Sequence, residues 1–235
     1  SRDIAQVLSD LQRYTLFLER IPRTLKHELS NPMSAIQTSL ELLSDEKDPV
    51  QQARLRATAE RGIQKLESTL AKVTEAASLE EALRDEEKRP FNAVQVAQNA
   101  LDAMALSAPD RHFVLDAPDA RVVLLGHDLR FEQLLDKLLD NARDYTPVDG
   151  RIRVVLRNQI THADLMVEND GPPISGAAAA DAFQMFTGTR NDSTGVHLGL
   201  GLYVVRVIAE SMGAEVSMEN TERGVRVAVR GFTVP

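Results

Sequence analysis

No cysteine and no tryptophan occur in the 235 residues, and aromatic side chains make up only 4%. Without cysteine there is no disulfide framework, no thiolate metal site and no cysteine nucleophile, a composition that fits an intracellular compartment. With so few aromatics, leucine, valine, isoleucine and alanine must fill the core. No run of about 18 apolar residues and no signal-peptide pattern is found. Basic residues are in the minority, 27 Lys and Arg against 35 Asp and Glu, for a net charge of −8. That balance argues against nonspecific nucleic-acid binding, which needs a basic surface. What is present, 43% hydrophobic and 26% charged residues, is ordinary globular composition, and the length suits one mid-sized domain or two small ones. The chain begins with Ser, so it reads as a trimmed piece of something longer, with any membrane segment outside it.

Two textures divide the sequence near residues 84–90. From Ile4 to about Leu43, apolar residues such as Ile4, Val7, Leu8, Leu11, Leu18, Ile21, Leu25 and Leu29 recur at helical spacing. The turn-forming stretch SDEKDP (Ser44 to Pro49) follows, then a second periodic run through Leu55, Ala59, Ile63, Leu66, Leu70, Val73, Ala77 and Leu79. Two long helices around a tight turn make an antiparallel hairpin. Its apolar stripe is too wide for one partner, so two copies are expected to pair into a four-helix bundle; the alternative is packing against the second half. After Pro90 short strands (HFVLDAP, RVVLLG), two hairpins and strong helical stretches are mixed. Asp128 is the expected N-cap of the helix DLRFEQLLDKLLDNARDY, and GLYVVRVIAESMG is expected to end as a helix at Gly213. Without regular βαβ alternation, this half is predicted to be an α+β sandwich with helices on one face of a sheet.

Chemistry has few places to live. In LKHELSNPM, His27 is followed by Glu28, and Asn31 lies four residues on, on the same helix face as His27. A carboxylate beside an imidazole can orient it and accept a proton, although a solvated helix face carries such pairs too. Pro32 would open the backbone at that turn. In LLDNARDYTP, Asn141 offers a carboxamide to a hard cation or simply a polar edge to the core. NDGPPI (Asn169 to Ile174) could be merely a turn. HLGLGL places paired glycines before a helix, where backbone N–H groups can approach an anion. His112, His127, His162 and His197 lack partners at metal-ligand spacing and read as surface or structural.

Taken in order, these stretches resemble the catalytic core of bacterial two-component sensor histidine kinases, over nearly the whole chain. HELSNPM is similar to that family's phosphoacceptor box and LLDNARDYTP to its asparagine box. ENDGPPI is similar to its first glycine box, FQMF to its phenylalanine box, and GLGL (Gly199, Leu200, Gly201, Leu202) to its second glycine box. The resemblance implies a dimerisation and phosphotransfer hairpin over 1–88 and an α/β sandwich ATP-binding domain over 89–235. It further implies that His27 takes the γ-phosphoryl group of ATP, that Glu28 assists as base, and that Asn31 orients the water that dephosphorylates the partner. That partner would be a response-regulator receiver domain. Asn141 would ligate Mg2+; Tyr145, Asn169, Asp170, Gly171 and Gly199 to Leu202 would surround the nucleotide; and 175–198 would form a lid. The chain would be the cytoplasmic portion of an inner-membrane protein, acting as a homodimer.

Four positions depart from the family pattern. Lys137 stands where a second Asn is usual, Asp144 where a basic residue is usual, Asn169 at the adenine-reading Asp, and Pro173 at a Gly. Lys137 shares a helix face with Asn141 and is expected to supply the cation missing at 144. The departures keep open a degenerate kinase that works mainly as a phosphatase or dimeric binding module. A gyrase-type ATPase is the other rival, but it would need a water-activating Glu where Lys137 stands, and a protonated lysine is a poor base.

Overall fold

The computed structural model describes residues 23–184 and 199–235, and these fall into two compact units, 23–75 and 76–184 with 199–235. The expected helical residues before Arg23, Pro22 included, and most of the expected lid segment lie outside the described residues.

In the first unit α1 (Arg23–Asp45) and α2 (Pro49–Asp85) are joined by a three-residue turn; α2 runs on past Glu75 into the second unit. Glu46 Oε1 accepts from the backbone N–H groups of Lys47 and Asp48, and Asp48 Oδ1 accepts from Val50 N–H at 3.0 Å. The turn therefore caps the second helix with its own side chains. Pro32 does not end α1, which continues through it. Its carbonyl oxygen instead lies 3.1 Å from where a β-carbon on Gly62 would be, with Ile36 Cγ1 at 2.6 Å. The absent side chain at Gly62 lets the antiparallel helices approach closely. The inner stripe of α1 is Leu25, Glu28, Pro32 and Ser39, and α2 presents buried Ala59, Gly62 and Thr69. Larger apolar residues face outward: Met33, Leu40, Leu42, Ile63 and Leu70 are each about half exposed or more.

The second unit contains β1 (Arg89–Asn92), α3 (Ala93–Ser107), β2 (His112–Asp116), β3 (Val123–Gly126), α4 (Asp128–Tyr145), β4 (Arg151–Asn158), β5 (His162–Asn169), α5 (Gly176–Asp181), α6 (Gly201–Ser211), β6 (Glu215–Asn220) and β7 (Val225–Thr233). The main sheet has the order β2-β4-β5-β7-β6, with β2 parallel to β4 and the other neighbours antiparallel. β1 and β3 form a separate two-stranded sheet that the sequence reading lacks. α4 packs on α3, α6 and the strands β4 and β5.

Alternation along the strands separates two faces. Ile152, Val154 and Leu156 of β4, Leu165 and Val167 of β5, and Val227 and Val229 of β7 are buried. Against them lies the α4 stripe of Phe131, Leu134, Leu135, Leu138, Leu139 and Ala142. Phe131 sits between Phe91 and Phe232, with ring centroids 5.4 and 5.6 Å away, and fixes α4 to both sheets. The opposite face carries alternating charges: Asp116 pairs with Arg153 and Arg157, Arg153 with Glu168, Glu168 with Arg226, and Arg226 with Glu219.

Three local expectations change. The N-cap of α4 is His127, and Asp128 is the first helical residue, although its carboxylate still accepts from Leu129 N–H at 2.9 Å. α6 ends at Ser211, with Gly213 two residues on in the left-handed region at φ +80°, the usual way a helix turns off. The first part of the expected lid, Gly176–Asp181, is a short helix capped by Ser175.

Candidate functional site

The hydrophobic stripe of α4 decides where its polar residues go. Residues flanking that stripe are half-buried, and Lys137 and Asn141 share this edge one turn apart. Asn141 is three residues from buried Leu138, so its carboxamide stands at the rim of the core rather than in free solvent. Asp144 lies beyond it and is neutralised locally: Arg143 reaches it at 3.2 Å and also holds Asp140 at 3.0 Å. The carboxylate that departs from the family pattern thus comes with its own guanidinium. Lys137 makes no ion pair within 4 Å among the described residues.

α4 stops at Tyr145 because Thr146 bends the chain away, its backbone N–H and its Oγ1 both donating to the carbonyl of Ala142, at 3.0 and 2.6 Å. Arg111 Nε donates to the Thr146 carbonyl at 3.2 Å. These bonds set the Tyr145 carbonyl against the turn that leaves β5. A β-carbon on Gly171 would come within 3.0 Å of that carbonyl and 2.6 Å of Asn169 Nδ2. Gly171 is therefore the residue that lets the end of α4 and the end of β5 touch.

Asn169 ends β5 opposite Ile152 and Val225. It is 8% exposed, on the same face as Leu165 and Val167. Its Nδ2 is buried with no hydrogen-bond partner among the described residues. A buried amide donor left unmade costs about 1–3 kcal/mol, so this group is ready for a ligand that accepts. Asp170 differs. Its backbone N–H donates to the Arg151 carbonyl at 3.0 Å, its Oδ2 accepts from Arg151 N–H at 3.2 Å, and Arg223 lies 3.7 Å away. That carboxylate closes the end of the β4–β5 ladder.

The sequence reading missed Gly224. A β-carbon there would lie 2.0 Å from the Asn169 carbonyl oxygen and 2.6 Å from Gly171 N, so the β6–β7 turn rests directly on the Asn169–Gly171 turn. The only hint is TERG, a glycine in a hairpin turn. Thr146 likewise carries no signal of its own beyond its place in LLDNARDYTP.

The second glycine box opens α6. Gly199 is in the left-handed region at φ +65°, and Leu200 occupies the N-cap with no side-chain cap bond. Leu200 thus supplies no side-chain acceptor to the first N–H groups of α6. A β-carbon on Gly201 would meet open space. Leu200 is buried at 7% exposure and Leu202 is half-buried, so both side chains anchor the box rather than face a ligand. In the phenylalanine box Phe183 is buried, and its last two residues lie outside the described set.

His27, Glu28 and Asn31 belong to the helical unit. His27 lies within α1 and its side chain is outside the described set; Asn31 is exposed. Glu28 is not the surface carboxylate expected from the sequence. It is 3% exposed, on the inner stripe of α1, with Lys65 Nζ of α2 at 3.5 Å from its Oε2. Spacing explains this: residue 28 falls three after Leu25 and four before Pro32, both buried.

Among the ionisable groups of the second unit, Asp116 is held below the usual carboxylate range, chiefly by its hydrogen bond from Arg157 and then by Arg153. Glu86 is lowered in the same way, chiefly by its bond from Arg130. Asp136 is raised, first by partial desolvation and then by the neighbouring carboxylates Glu132 and Asp140.

Comparison with known proteins matches this arrangement. Residues 126–234 fit the family model of histidine kinase-, DNA gyrase B- and HSP90-like ATPases, and residues 18–82 fit the His Kinase A phospho-acceptor domain. The sensor protein kinase PmrB of Pseudomonas aeruginosa is 26% identical over 225 residues, covering 94% of this chain and 47% of that protein. The chain spans about half or less of the length of these curated relatives, 36% in the case of sensor protein ChvG of Agrobacterium fabrum. Histidine kinase AdeS of Acinetobacter baumannii superposes with a TM-score of 0.66 at 21% identity, over 89% of this chain and 98% of that one. Histidine kinase ThkA, solved in complex with response regulator protein TrrA, gives a TM-score of 0.68 at 20% identity, over 100% of this chain and 64% of that one. With a phosphoacceptor domain and an ATPase domain of the matching kind in one chain and in this order, the protein belongs to the sensor histidine kinases and carries their catalytic core.

Proposed function

We propose that this chain performs Mg2+- and ATP-dependent autophosphorylation of His27 and then passes the phosphoryl group to an aspartate of a response-regulator receiver domain. Residues 1–88 serve as the dimerisation and phosphotransfer domain and 89–235 as the ATP-binding domain. The reading is carried by one observation: the end of α4 meets the end of β5 around a buried carboxamide whose donor has no partner among the described residues. Such a half-made polar pocket fits a purine base. Tyr145 and Gly171 wall it, Asp170 and Gly224 hold its turn, and the N-terminus of α6 at Gly199 to Leu202 is assigned the phosphates.

Asn141 would hold Mg2+ through its carboxamide oxygen, a single neutral protein ligand that suits a metal bound mostly by phosphate oxygens and water; such an ion supplies charge neutralisation for the transfer. Lys137, one turn away, adds a cation on the same edge. An imidazole nitrogen of His27 attacks the γ-phosphorus, the bond to the bridging oxygen breaks, and ADP departs. Glu28 is assigned the ring proton. Asn31, exposed on α1, is assigned the water that later removes phosphate from the regulator.

The outward apolar residues of the hairpin, Met33, Leu40, Leu42, Ile63 and Leu70, support a homodimer in which a second copy completes a four-helix bundle. The same helices present Gln37 to Leu43 as the surface for the receiver domain. The chain is assigned to the cytoplasmic side of an inner-membrane protein, with no nucleic-acid partner.

A second reading is favoured by Glu28 alone: a base buried under Lys65 suits a degenerate kinase that acts as a phosphatase or binding module. One experiment separates them. Purified protein is incubated with γ-labelled ATP, with and without Mg2+, beside His27→Ala and Asn141→Ala. Acid-labile, base-stable label that needs Mg2+ and vanishes in both variants supports the kinase. No label, with loss of phosphate from a phosphorylated regulator, supports the phosphatase.

A further inference from the structure

We propose that Asn169 makes the base pocket accept 6-oxopurine nucleotides as well as ATP; the inference rests on the nucleotide-binding reading above and adds a substrate class to it. A carboxylate can only accept hydrogen bonds, whereas a carboxamide carries an acceptor and a donor side by side. Adenine presents an amino donor beside the N1 acceptor on its pairing edge. Hypoxanthine presents the reverse, a keto acceptor beside an N1–H donor. A carboxylate facing the 6-position pairs with the adenine amino group and repels a keto oxygen there. A carboxamide meets either edge, because turning it by about 180° about its last side-chain torsion, which is broad and roughly two-fold, exchanges oxygen and nitrogen.

Three observations place this in the pocket. Asn169 is 8% exposed, so its hydrogen bonds are made away from competing water. Its Nδ2 is buried and unpartnered among the described residues, an unused donor where a keto oxygen could be received. The adjoining carboxylate is already engaged, since Asp170 Oδ2 accepts from Arg151 N–H at 3.2 Å and faces Arg223 at 3.7 Å. A site built to complete polar pairs rejects a base that leaves one unmade, often by orders of magnitude. Replacing the acceptor-only group by a two-way group removes that penalty for the keto base.

The test is calorimetric titration of the whole chain, in Mg2+, with ATP and with inosine triphosphate, for the wild type and for Asn169→Asp. The wild type is expected to bind the two within about tenfold of each other, and Asn169→Asp to move the ratio at least about tenfold toward ATP. A wild-type preference for ATP above that limit, or a ratio unmoved by the substitution, overturns the inference and leaves ATP binding intact. Binding of neither nucleotide overturns it together with the reading beneath it. Should Asn169→Asp fail to fold, Asn169→Leu decides instead: loss of affinity for both nucleotides to a similar degree supports a two-way reader, and loss for ATP alone overturns it.

Discussion

A β-carbon at position 224 would sit 2.0 Å from the carbonyl oxygen of Asn169. Backbone, not a yielding side chain, occupies that space, so the β6–β7 turn and the β5 exit turn can meet only while residue 224 is glycine. Gly224→Ala should cost about 1–3 kcal/mol, as overpacking does, and weaken ATP binding by more than about tenfold by displacing Asn169 and Gly171. Thermal unfolding and an ATP titration check both. Gly201→Ala is the control for stability: its β-carbon would meet open space, so the unfolding midpoint should stay within about 2 °C.

Lys65 lies over Glu28 at 3.5 Å, with the glutamate side chain 4% exposed and the lysine 47%. Lys65→Ala leaves a buried carboxylate without its cation and should lower hairpin stability by about 1–2 kcal/mol, less than a fully buried pair because the lysine is half in water. Adding Glu28→Gln to that variant should restore most of the loss. Urea unfolding of the single and double variants measures it; equal stability of wild type and Lys65→Ala would show that the pair contributes nothing.

Lys137 shares the half-buried edge of α4 with Asn141 and makes no ion pair within 4 Å among the described residues. Lys137→Ala should weaken ATP binding about tenfold, while leaving the unfolding midpoint within about 2 °C. Unchanged affinity would remove Lys137 from the site.

Two aspartates predict opposite responses to acid. Asp116 is held below its ordinary value, first by Arg157 and then by Arg153. Its stabilising effect is complete above the ordinary carboxylate range and is lost as pH falls through its lowered native value. Asp116→Asn should therefore lower the unfolding midpoint at pH 7 and change little once the wild-type carboxyl is protonated. Asp136 is raised, first by desolvation, then by Glu132 and Asp140. Its charged form is disfavoured in the native state, so Asp136→Asn should raise the midpoint at pH 7 slightly, since the group is exposed, with the gain fading below the usual carboxylate range. Thermal melts from pH 3 to pH 8 read both.

Much of this was legible in residue order. The period of three and four along α1 and α2, the turn at Glu46 to Asp48, and the strand pairs around Gln159 and Thr221 follow from local rules, because helix and hairpin signals need only neighbours within a few positions. The β1–β3 pair was not legible: Arg89 to Asn92 meets Val123 to Gly126 across more than thirty residues, and strands so short carry little pattern. The N-cap of α4 moved by one residue for the same local reason that boundaries usually blur.

The site divides along the same line. Sequence by itself determined where the candidates for chemistry stand, His27, Asn141, Asn169, Gly171 and the pair at Gly199 and Gly201, since motif spacing survives in one dimension. Only the tertiary structure decided that Glu28 turns inward to Lys65, that Asp170 closes a ladder while Asn169 is buried beside it, and that Gly224 underlies both. Those outcomes depend on which face of a helix or strand meets which neighbour, and contacts between distant segments are written in packing rather than in order.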